Sequence, residues 1–281
     1  MKIAAMLALL ALGSGMVRAH EHDWPVREQQ TIEKTLPLEG APMRVVVDNV
    51  EGYVHLRAVE GSNVHVVAHK IVRAETESDV ADSKEVQLAA ESRPGTVSVY
   101  YDAPWRCRGY GDCHDNRRRF YEVRFDIDVE VPRTARIVAS TVNGGDLTVD
   151  GGGDFEVSNV NGGIRMTGIT GSGEVHTVNG PIAVHFAKNP RDRCDFKTVN
   201  GGIDVYFVQP LSADLRFKTF HGEIYSDFDV SARAIPAEVT ERHNGKYVYH
   251  SDRASGARAG EGGPELSFDT LNGSIRLHRE R

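Results

Sequence analysis

The residues best suited to chemistry recur at a fixed spacing. Ala183-Val-His185, Asp204-Val-Tyr206 and Tyr225-Ser-Asp227 each carry side chains two positions apart, which share one face of a strand. If these strands stack, His185, Asp204, Tyr206, Tyr225 and Asp227 gather on one solvent-facing surface. Aromatic rings beside a few polar groups suit a carbohydrate, so this is the candidate ligand face. Asp204 and Asp227 also support a rival reading, a polysaccharide-active β-helix enzyme with carboxylates as acid and base. The two acids are one repeat apart but offset by two columns, an arrangement that favours binding over catalysis. An ordinary solvated face would have the same composition.

Two other groups could act on metals or on each other. Cys107 and Cys113 stand in Trp105-Arg-Cys-Arg-Gly-Tyr-Gly-Asp-Cys-His114, with two glycines that let the chain turn back. A local disulfide closing a hairpin tip competes with a metal site made by Cys107, Cys113 and His114. In an exported protein a thiol pair oxidises first, so the disulfide is expected. Cys194 is left over. If a leader is removed after Ala19, the new terminus is His20-Glu-His22-Asp23, and a free amine with His22 at the third position can chelate Cu²⁺, with His20 as a further donor. The sequence contains no Gly-x-Ser-x-Gly elbow, no Gly-x-x-x-x-Gly-Lys and no His-Glu-x-x-His. No cofactor and no catalytic residue is expected.

The leader itself is legible. Lys2 precedes an apolar run from Ile3 to Leu12, and Val17-Arg-Ala19 offers a small-residue cleavage site. This is the layout of a secretory signal peptide over residues 1–19, too short to span a membrane. No later stretch approaches the roughly 20 apolar residues of a transmembrane helix. The expected location is therefore periplasmic or secreted. The chain has 33 basic and 40 acidic residues, a net charge of −7, and losing Lys2 and Arg18 makes it more acidic still. Nucleic acid and anionic membranes need clustered Lys and Arg, and the one basic run, Arg117-Arg-Arg119, lies beside Asp112, Asp115 and Glu122.

What positions the candidate face is a repeat. Thr-Val-Asn-Gly occurs at 141–144, 177–180 and 198–201, with variants at 159–162, 219–222 (Thr-Phe-His-Gly) and 270–273. From Asn143 the steps are 18, 18, 21 and 21 residues to His221, then 51 to Asn272. Four residues before the Asn position stand Ala139, Val157, Val175, Phe196, Phe217 and Phe268. Two before it is a small polar column, mostly Thr. Three after it come Ile164, Ile182, Ile203, Ile224 and Ile275. Apolar residues two apart, then a turn, then apolar residues two apart again describe two half-buried strands. Asn-Gly tolerates positive φ and can redirect the chain between them. A unit of this length cannot bury its apolar face alone, but stacked copies can. Cys194 falls in the core column occupied elsewhere by Ile137, Phe155 and Leu215, where Cys behaves as a small hydrophobe.

A disguised copy spans Val45 to Leu56, with Glu51 in the Asn slot. Glu77 to Ser92 reads as a short helix. The predicted fold is all-β, a β-solenoid or right-handed β-helix-like stack of short strands with Asn-Gly corners and one short helix. After a flexible segment at 20–29, residues 30–281 form one domain, with a Cys-bearing hairpin near 102–120 and a looser excursion at 231–264. The last unit, 265–278, ends in Arg276, His278 and Arg279, polar enough to cap an open sheet edge.

The leader, the early Val47-Asp-Asn-Val-Glu-Gly-Tyr-Val54, Val129-Glu-Val-Pro132 and the final Thr270-Leu-Asn-Gly-Ser-Ile-Arg-Leu277 together resemble the bacterial putative-adhesin family, also called the toastrack domain. The resemblance runs over roughly residues 30 to 278. It implies a β-helix-like envelope domain linked to surface attachment or envelope stress, with no catalytic residues to transfer. The expected function is a non-catalytic binding or scaffolding module for an envelope protein or glycan. A regulatory component of the envelope-stress response is the further alternative.

Overall fold

The structure, a computed structural model, describes residues 24–106, 118–234, 241–243, 246–248 and 254–280. The leader, His20, His22, Cys107, Cys113 and His114 lie outside the described residues. The rest is nearly all β, arranged as two large open sheets of ten and eleven strands, each mixed parallel and antiparallel.

Each repeat contributes one strand to each sheet. In the second sheet Arg44–Asp48, Arg136–Thr141, Phe155–Asn159, Gly173–His176, Cys194–Asn200, Glu265–Asn272 and Ala213–His221 pair in parallel, in that order. In the first sheet Val54–Val59, Leu147–Gly152, Ile164–Ile169, Ile182–Phe186, Ile203–Phe207, Ile275–Arg279 and Ile224–Ser226 do the same. Register follows the sequence columns: Ile164 pairs with Ile182, Ile182 with Ile203, Ile203 with Ile275 and Ile275 with Ile224. Any slip by one residue would expose the whole apolar set, which is why the alternation specifies the pairing.

The two inner faces form one core. Phe268 lies between Phe196 and Phe217, with ring centroids 5.2 and 5.3 Å away and the rings stacked. Cys194 is buried in the column expected for it and carries no disulfide. Burial pushes its thiol pKa up to about 11, so it stays protonated and apolar.

Four expectations change. The C-terminal unit does not cap the stack: it is inserted between the 194–207 and 213–226 units. The His221 unit is thus the last of the parallel units, with two antiparallel strands beyond it in the second sheet. A parallel stack needs each unit to match its neighbours in register, not to follow them in the chain, and the segment after Arg233 is long enough to return. The helix is shorter than read. Thr76 caps it in a reciprocal capping box with Asp79, it runs Glu77–Asp82 with a 3₁₀ turn at Ser83–Glu85, and Gln87–Arg93 is a strand paired with Thr96–Asp102. The first strand, Val26–Pro37, starts inside the segment expected to be flexible and pairs with Asn63–Ala74. Part of the looser excursion also joins a sheet, because Ser255–Ala259 pairs with both Ala213–His221 and Val230–Arg233.

Candidate functional site

The Asn column forms a continuous ladder. Each side-chain amide donates to the carbonyl oxygen of the previous unit: Asn161 to Asn143, Asn179 to Asn161, Asn200 to Asn179 and Asn272 to Asn200, all at 2.7–2.8 Å. At one end Asn143 donates to the Glu51 carboxylate at 2.8 Å, and at the other His221 Nδ1 lies 3.0 Å from Asn272 Oδ1. Stacking in register makes this unavoidable, since identical amides recur one inter-strand spacing apart. Beside it runs the threonine column, buried except at Thr219, which is half-buried. Thr177, Thr198, Thr270 and Thr219 donate to Gly162, Gly180, Gly201 and Gly273 carbonyls at 2.9–3.0 Å.

The glycines serve a different purpose from the one the sequence suggests. Gly180, Gly201, Gly273 and Gly222 do not adopt positive φ. A Cβ on Gly201 would lie 2.0 Å from the Gly180 carbonyl oxygen, and one on Gly273 would lie 1.9 Å from that of Gly201. Close stacking of backbone on backbone, rather than turn geometry, demands glycine here. Gly144, with φ +99°, is the unit where the original argument holds.

The outward face of the first sheet carries the candidate ligand residues. His185 and Tyr206 stack with centroids 3.9 Å apart and planes 7° from parallel, and His278 stacks on the other side of Tyr206 at 4.4 Å. Both faces of the Tyr206 ring are therefore covered, so this ring cannot stack on a sugar as expected from sequence. Tyr225 has the Arg276 guanidinium 5.5 Å from its centroid. Its hydroxyl donates to Glu223, which raises the phenol pKa above its ordinary value.

Asp204 and Asp227 lie farther apart than their one-repeat spacing in the sequence suggests. The inserted C-terminal strand separates them by two steps, and His278 sits between them. Its Nε2 is 2.8 Å from Asp204 Oδ1 and its Nδ1 is 4.0 Å from Asp227 Oδ2. Arg276 approaches Asp204 at 3.7 Å, and the Arg279 backbone N–H donates to Asp227 at 3.2 Å. His185 Nδ1 is 3.0 Å from Glu280. Arg276, His278 and Glu280 complete the face, and sequence reasoning left them out because it put their unit at the end of the stack. The column spacing of His278 matches that of His185 and Tyr206, which was the available signal.

Farther along the same face, His55 bridges Asp128 at 3.1 Å and Asp150 at 2.8 Å. Thr167 donates to Asp150 at 2.6 Å, and this bond with the one to His55 holds the Asp150 carboxyl below its ordinary range. Among the described residues no group of three or more His, Cys, Asp or Glu side chains could hold a metal ion, and no helix is long and apolar enough to cross a membrane.

No family model matches the chain, and no curated protein matches it. Solved structures similar to it include a putative cell adhesion protein from Clostridium sporogenes, 8% identical, with a TM-score of 0.44 over 89% of this chain and 100% of that one. A putative adhesin from Bacteroides fragilis is 11% identical with a TM-score of 0.37, covering 89% and 97% of the two chains. A putative lipid binding protein from Parabacteroides distasonis is 12% identical with a TM-score of 0.28, also covering 89% and 97%.

Proposed function

We propose that this chain is an exported envelope protein, a non-catalytic binding or scaffolding module whose stacked rungs form a solenoid-like platform in a single domain. Its outward face, from His185 through Tyr206 and His278 to Asp227, engages a partner protein or a glycan. The observation that carries the reading is preorganisation. Each of these side chains is already held by a ring stack or a hydrogen bond, so a partner meets fixed donors and acceptors and loses less entropy in ordering them. Because the Tyr206 ring faces are occupied, contacts come from ring edges, the carboxylates of Asp204 and Asp227, and the Arg276 guanidinium. Export is supported by the leader pattern of residues 1–19, which places the module in the periplasm or outside the cell.

The same geometry weighs against the polysaccharide-cleaving reading. A catalytic carboxylate pair flanks a substrate bond, with a gap between the acids. Asp204 and Asp227 instead flank one imidazole. Titration of acidic and neutral oligosaccharides against the wild-type protein and His278→Ala tests the proposal. Binding by the wild type that falls about tenfold or more in the variant supports it. Binding unchanged by the substitution, or glycan cleavage abolished by Asp204→Asn, overturns it.

A further inference from the structure

At the end of the sheets away from His221, the helix Glu77–Asp82, the 3₁₀ turn Ser83–Glu85 and the start of Gln87–Arg93, the edge strand of the second sheet, leave a cavity of about 490 Å³ against Val26–Pro37 and Asn63–Ala74 of the first sheet. That volume lies within the range of roughly 300–1,000 Å³ typical of small-molecule sites. Ile32, Val72, Val80 and Leu88 supply an apolar lining.

Three lysines line the same cavity: Lys34, Lys70 and Lys84. Among the described residues none of them forms an ion pair with a carboxylate. Glu28 is the one acidic residue in the lining, so the cavity is locally cationic in a chain of net charge −7. Lys70 interrupts the buried column of Val66, Ala68 and Val72 and is only 9% exposed. Its ammonium donates to the Val86 carbonyl at 2.6 Å and reaches that of Ser83 at 3.5 Å. An ammonium has three donors, so one remains. Lys34 makes one long bond, 3.4 Å, to the Leu88 carbonyl. Burial lowers the Lys70 pKa from its ordinary 10.5, a cost that an anion beside it would offset.

We propose that this cavity binds an amphipathic anion, a carboxylate held by Lys34, Lys70 and Lys84 with an acyl chain packed on Ile32, Val72, Val80 and Leu88. The site is separate from the outward face discussed above, and either assignment stands or falls without the other.

Calorimetric titration with decanoate, decan-1-ol and inorganic phosphate tests it on the full-length protein. Decanoate should bind at least about tenfold more tightly than either decan-1-ol, which lacks the charge, or phosphate, which lacks the chain. The double variant Lys34→Gln/Lys84→Gln should weaken decanoate binding by about tenfold and leave decan-1-ol within about twofold, since both ammonium groups reach solvent and the fold does not depend on them. Ile32→Glu, checked for an unchanged melting temperature, should abolish decanoate binding. Equal affinity for decanoate and decan-1-ol, tighter binding of phosphate, or decanoate binding indifferent to these substitutions would each overturn the proposal.

Discussion

His221 Nδ1 lies 3.0 Å from Asn272 Oδ1, although 51 residues of chain separate them. The contact terminates the amide ladder and requires that His221 carry a proton on Nδ1. His221→Asn should preserve the bond through the amide and leave stability within about 0.5 kcal/mol. Asn179→Asp, in mid-ladder, should cost about 1 kcal/mol or more, because the carboxylate cannot donate to Asn161 Oδ1. Urea unfolding of both variants checks the pair, and equal costs would show that the ladder contributes nothing.

Gly201→Ala should be among the most damaging small substitutions, at about 4 kcal/mol or more, because the added methyl would lie 2.0 Å from the Gly180 carbonyl oxygen. Gly153→Ala is the control. The nearest atom to its new methyl would be 3.9 Å away and its φ is not positive. Thermal melting should show the control within about 0.5 kcal/mol of wild type.

The inserted unit makes the C-terminus structurally central. Phe268 contacts the rings on either side of it, so Phe268→Ala should cost about 3–5 kcal/mol. Removing residues 265–281 should do more. It strips the partner strands from Cys194–Asn200 and Ala213–His221 at once. Hydrogen exchange of the truncated chain should show lost protection over 194–226 while 136–186 remains protected.

Acid stability should depend on a carboxylate held by two guanidinium groups. Arg258 and Arg233 each approach Asp214 at 2.7 Å, and the Arg258 hydrogen bond is the main cause that lowers its pKa below 3.8. A folded-state pKa below the unfolded value of about 3.9 means that this stabilisation is fully present above that value and disappears as pH falls through the folded pKa. Asp195, lowered chiefly by Arg193, acts in the same direction. Asp214→Asn should therefore be less stable than wild type at pH 7, with a difference that narrows below about pH 4. Melting temperatures between pH 2 and 7 test this, and a constant difference would contradict it.

Cys194 should not react with iodoacetamide in the folded protein and should label fully in denaturant. It is completely buried, and its thiol pKa of about 11 leaves almost no thiolate at neutral pH. Fast labelling of the native state would mean that the 194–207 unit opens locally.

Much of this protein is written in local sequence because it is periodic. Alternating apolar residues set strand faces and register, the Thr and Asn columns follow from that register, and Cys194 falls in the core because its column does. Glu51 could be placed opposite Asn143 on the same basis, and the two do pair. What the sequence did not determine is stacking order. Units that share one pattern can be neighbours in any sequence, since register energy depends on matching columns and not on chain connectivity. Only the tertiary structure decided that 265–279 enters between 194–207 and 213–226. That insertion placed His278 between Asp204 and Asp227, covered the second face of Tyr206, and made a row of rings and carboxylates out of residues far apart in the chain. The lysine cavity was illegible for a related reason. Its walls come from strands and a helical turn whose local patterns look ordinary, and only their packing brings three ammonium groups and four apolar side chains to one pocket.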